Sequence, residues 1–102
     1  MTNELDETFY QRADAHIRLA NEQLDTVANG KVSASMMYAL ARFNAWVSAH
    51  GVQKAEQMQE ARPGMVEYFV DQYKQMLEHN LDDYIENFER YRAISDDDAG
   101  SA

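Results

Sequence analysis

The chain has 102 residues, 45% of them apolar, with 18 acidic against 9 basic side chains and a net charge of -9. That is one domain's worth of chain, long enough for a single modest core. The charge disfavours nucleic acid and anionic membrane surfaces, which draw affinity from clustered Lys and Arg. The chain has no cysteine. Disulfides and thiolate metal sites are therefore excluded, and the composition suits a reducing compartment such as the cytoplasm. The opening "MTNELDETFY" is acidic and has no apolar run, so it does not read as a secretory signal.

Three helices are expected in chain order, with no strand alternation. The first runs from about Glu4 to Ala28, with Asn3 and Asp6 as a capping pair. Leu5, Phe9, Ala13, Ile17, Ala20, Leu24 and Val27 recur every three or four residues as one apolar stripe, and Gly30 ends the helix. The second runs from an N-cap at Ser33 to His50, with Val32 and Met37 spaced as a hydrophobic staple and Gly51 as its stop. The link Asn29–Val32 is short, so the first two helices should be antiparallel neighbours.

"VQKAEQMQEAR" (52–62) holds good helix formers but little apolar periodicity, and reads as a crossover with room for a short extra helix. Pro63 suits the first position of the third helix, which continues to about Arg92. Val66, Phe69, Val70, Tyr73, Met76, Leu77, Leu81, Tyr84, Phe88 and Tyr91 form its apolar sector. The fold class is thus all-α: an antiparallel three-helix up-down arrangement, one domain over 1–92. Residues 93–102, ending "SDDDAGSA", read as a disordered acidic tail.

The second helix is apolar on two sides. Met36, Leu40, Phe43 and Val47 make one face, and Ala34, Ala41, Ala45 and Ser48 the other, flanked by Tyr38 and Ala49. Such a helix is normally sandwiched, so it should be the most buried element, with Phe43 and Leu40 each worth about 2–5 kcal/mol against alanine. Arg42 within it then needs an anion, and a structural ion pair to an acid of a neighbouring helix is the favoured reading. Asn44 reads as a satisfied amide. Asn80 and Asn87, one heptad apart on the third helix, read as polar residues that fix helix register.

Chemistry is thinly represented. His79, Asp82, Asp83 and Glu86 share a stripe at i, i+3, i+4 and i+7 and could hold a divalent cation weakly, although an acidic chain produces such clusters by chance. His16 reads as a packing residue. Neither His-Glu-x-x-His, paired Glu-x-x-His, Gly-x-Ser-x-Gly nor a glycine-rich phosphate loop occurs.

The stretches "ANEQLDTVANGKVSASMMYALARFNAWV" and "EYFVDQYKQMLEHNLDDYIENF" resemble a family of short bacterial proteins, Domain of Unknown Function family 3144, over about Phe9 to Tyr91. The resemblance implies a bacterial, cytoplasmic, free-standing domain and transfers no functional residue. The expectation is a non-enzymatic interaction module without a cofactor. It would self-associate as a homodimer through Tyr38, Ala41, Arg42, Ala45 and Ala49, and could also bind another protein. The metal stripe is the alternative, and a small apolar-ligand pocket among the methionines and aromatics is a fainter third.

Overall fold

The computed structural model describes residues 6–97, the last four by backbone alone. Among the described residues the chain is four helices and no strand: α1 (Phe9–Gln23), α2 (Asn29–His50), α3 (Ala55–Glu86) and α4 (Phe88–Asp97). No described helix is long and apolar enough to cross a membrane. The all-α expectation holds, but the helix boundaries differ for identifiable reasons.

α1 starts at Phe9, not Glu4, and Asn3 lies outside the described residues. Asp6 organises this end: its Oδ1 accepts from the Thr8 amide at 3.0 Å and from the Thr8 hydroxyl at 3.1 Å, and Arg12 pairs with it at 3.3 Å. The Thr8 hydroxyl first, then Arg12, hold the Asp6 carboxyl below its ordinary range. At the other end the backbone tightens into three-residue bonds, Asp25 to Glu22 and Thr26 to Gln23, and α1 stops well before Gly30. Asp and Thr compete with helical bonding, which explains the stop.

Gly30 is therefore not a helix end. α2 begins at Asn29, and both Gly30 and Ser33 lie inside it. Its C-terminus falls at His50, where the Gly51 amide bonds the Ser48 carbonyl at 3.1 Å. The 52–62 crossover is mostly helix as well. α3 opens at Ala55, where the Gln57 Oε1 accepts from the amides of Gln53 at 2.8 Å and Lys54 at 3.1 Å. That reach-back is half of a capping box, and Gln57 three residues after Lys54 was its signal in the sequence. Pro63 consequently sits inside α3, where it has no N–H for the Gln59 carbonyl.

α3 ends at Asn87, whose amide Nδ2 donates to the Asp83 carbonyl at 3.1 Å and to Asp83 Oδ1 at 2.9 Å. The Tyr91 hydroxyl donates to the other Asp83 oxygen at 2.7 Å, and the Tyr84 and Tyr91 rings stack at 4.0 Å. This junction closes one long predicted helix into two, and α4 carries helix through Asp97, into the stretch read as a tail. The remainder of that tail, 98–102, lies outside the described residues.

The chain divides into two compact units, one from the described part of Met1–Met37 with Arg92–Ala102, the other Tyr38–Tyr91, so the boundary falls within α2. In the first, Phe9, Ile17, Ala20 and Leu24 of the expected stripe are half-buried, and Val32 is buried at 6% exposure. In the second, Met58, Ala61, Met65, Phe69 and Gln72 of α3 are half-buried, as are Asn44 and Ser48 of α2. The covered side of α2 is thus polar or small. Val32 is the buried apolar residue of the whole description, which overturns the expectation that α2 would be sandwiched.

Two predictions follow from these helix ends. Replacing Pro63 by alanine restores the missing bond to Gln59, and should raise the unfolding free energy by about 1–3 kcal/mol in a urea titration followed by circular dichroism. The hydrogen bond that the Tyr91 phenol donates to Asp83 holds its pKa above the usual value. The stability it contributes is present below about pH 10 and lost as pH rises through the raised midpoint. Asp83→Asn should lower that midpoint, read as the ultraviolet titration difference between each protein and its Tyr91→Phe variant.

Candidate functional site

The residues that α2 leaves open form the most distinctive surface of the second unit. Leu40 is 46% exposed, Phe43 61%, Trp46 56% and Val47 41%. At about 100° per residue these four lie on one side of the helix, roughly 120° from the covered Asn44 and Ser48. The ridge is ordered by its own side chains: Phe43 stacks on Trp46 at 5.6 Å and 30°, and Trp46 meets His50 at 4.1 Å. His50 also places its Nδ1 3.0 Å from the Trp46 carbonyl oxygen, which holds the imidazole at the C-terminus of α2. Large rigid rings held in place before any partner arrives lose little entropy on being covered.

α3 also leaves an apolar stripe open, although its covered side is itself apolar. Its Met58, Ala61, Met65 and Phe69 side is covered, while Val66, Val70, Tyr73, Leu77, Leu81 and Tyr84 of the expected core stripe remain exposed. The stripe lies about 120° around the helix from the covered side. Between the two helices, Ser48 of α2 and Ala61, Gly64, Met65 and Phe69 of α3 line an open groove of about 490 Å³, with Glu60 and Tyr68. Three polar side chains, Ser48, Glu60 and Tyr68, on an open, shallow surface give a small ligand little to grip, so the fainter pocket reading gains no enclosed cavity.

The residues singled out from sequence take mixed positions. Tyr38, Ala41, Arg42, Ala45 and Ala49 are all exposed and share one flank of α2 beside the ridge. Arg42 makes no ion pair or hydrogen bond with a described residue, contrary to the expected intrachain pairing. Its exposure removes the reason for one, because a hydrated guanidinium bears no burial cost. Asn44 is half-buried and makes no side-chain hydrogen bond among the described residues. Asn80 donates to the Met76 carbonyl at 2.7 Å, and Asn87 to Asp83, so both amides serve their own helix and neither reaches across to fix register.

The cation stripe does not assemble. Among the described residues no three His, Cys, Asp or Glu side chains converge as metal ligands. Asp83 is half-buried and engaged by Asn87 and Tyr91, while His79, Asp82 and Glu86 are exposed. His16 is exposed on α1. The residues that sequence reasoning assigned to a core face, and so missed as a surface, are Met36, Leu40, Phe43 and Val47, and Trp46, which it gave no face, joins them. One signal could have flagged them: α2 contains no acidic residue at all in a chain that has 18.

No curated protein matches the chain. A solved structure does: the NMR structure of the protein NB7890A from Shewanella sp. is 47% identical, with a TM-score of 0.74. That match covers 88% of this chain and 96% of the other, so the two share their fold. Residues 9–85 match the family described as Protein of unknown function (DUF3144), which takes in α1, α2 and nearly all of α3, and the chain belongs to that family.

Proposed function

We propose that the chain is a non-enzymatic interaction protein whose first partner is a second copy of itself. The observation that carries this reading is the packing of the second unit, in which α2 covers only Asn44 and Ser48 and leaves Leu40, Phe43, Trp46 and Val47 open, while α3 covers Met58, Ala61, Met65 and Phe69 and leaves a second apolar stripe open. Large apolar side chains grouped on one side of a helix and left exposed are characteristic of faces that are covered in the working state.

The case against catalysis rests on the sequence, which supplies no nucleophile motif and no metal-binding motif. The proposed setting is the bacterial cytoplasm, in keeping with a cysteine-free, acidic chain. Within each unit the short connections, 24–28 and 51–54, support an antiparallel succession of α1, α2 and α3.

Light scattering coupled to size exclusion tests the reading. At tens of micromolar the mass should be twice that of the chain and should fall toward one chain on dilution. A mass of one chain at every concentration up to about millimolar, where even weak homodimers form, would sink it.

A further inference from the structure

Resting on that self-association, we infer that the α2 ridge Leu40, Phe43, Trp46 and Val47 of one copy seats on the exposed α3 stripe of a second, with Arg42 pairing to a carboxylate of that second copy. Charge distribution selects this match. α2 carries Lys31 and Arg42 and no acid, whereas α3 carries eight acidic residues against Arg62 and Lys74. Two copies of a chain with net charge -9 repel one another, so a contact through α3 alone would set acids against acids. Laying α2 on α3 brings unlike charges together, and two-fold symmetry makes the match twice.

Arg42 is placed for the role. It lies four residues from Trp46, and so beside it on the helix surface, at the edge of the ridge. Glu67 and Glu78 stand in the same relation to the α3 stripe, each three residues before an exposed apolar residue, Val70 and Leu81. Arg42, Glu67 and Glu78 have no partner among the described residues of their own chain. A desolvated aromatic centre with an arginine at its rim is the usual composition of a protein contact. The alanine flank, Ala41, Ala45 and Ala49, offers far less apolar area and is the competing location.

Sedimentation equilibrium on single-site variants tests this, with circular dichroism confirming unchanged helix content. Every site is exposed in the single chain, so a charge there is tolerated by the fold. Phe43→Glu and Val70→Glu should each raise the dimer dissociation constant at least tenfold, Arg42→Glu several-fold, and Tyr10→Glu on α1 should change it little. Mixing Arg42→Glu with a Glu67→Arg, Glu78→Arg chain should give a heterodimer tighter than either homodimer. Loss of the dimer in Ala45→Glu but not in Phe43→Glu or Val70→Glu would overturn the inference and leave self-association standing. A wild-type chain that is monomeric throughout would remove the reading beneath it.

Discussion

The structure is governed by the mismatch between helix length and chain length. A helix buries a side only where another element lies beside it, and 102 residues drawn into a few long helices leave few elements to do so. α3 alone takes 32 residues, about 48 Å, beside an α2 of 22 residues and about 33 Å. Over Tyr73 to Asp82 every residue of α3 is exposed. Hydrophobic side chains are present in ordinary proportion; the neighbours to cover them within one chain are not.

That shortage explains why helix contacts in the second unit are made by unexpected sides. Asn44 and Ser48 of α2 are small or short, and small residues let two helices approach closely. They meet the Met58, Ala61, Met65 and Phe69 side of α3, and a second apolar side of each helix is left exposed. The result is a pair of exposed strips, one aromatic and free of acid, the other apolar and bordered by acid. The two strips are opposite in charge, α2 carrying no acid and α3 eight.

Local interactions, by contrast, are well developed at several helix ends. Asp6 holds the amide and hydroxyl of Thr8 just ahead of α1, Gln57 accepts at the entry to α3, and Asn87 with Asp83 and Tyr91 closes its exit. No buried side-chain nitrogen or oxygen among the described residues lacks a partner. Asn80 and Asn87, read as register-fixing residues, and Asp83 of the candidate cation stripe are thereby spent on helix ends and on their own helix. Helix ends satisfied in this way help helices hold their shape where tertiary burial is slight.

Since spacing at 3.6 residues is a property of the local sequence, periodicity alone determined that the chain is helical, where α2 ends, and that Phe9, Ile17, Ala20 and Leu24 face inward, though Ala13 and Val27 of the same stripe are exposed. It also showed that α2 is apolar on two sides. Boundaries were less legible because Gly30 and Pro63 were weighed as breakers, and at both positions the surrounding helix formers prevailed. What no local pattern contained was the choice of side. A helical wheel shows that Phe43, Trp46 and Val70 share apolar faces, but not whether a neighbouring helix or solvent lies opposite. That is decided by which elements the rest of the chain can bring alongside, and only the tertiary structure, by turning Ser48 and Ala61 inward, left the ridge and its unpaired Arg42 on the outside.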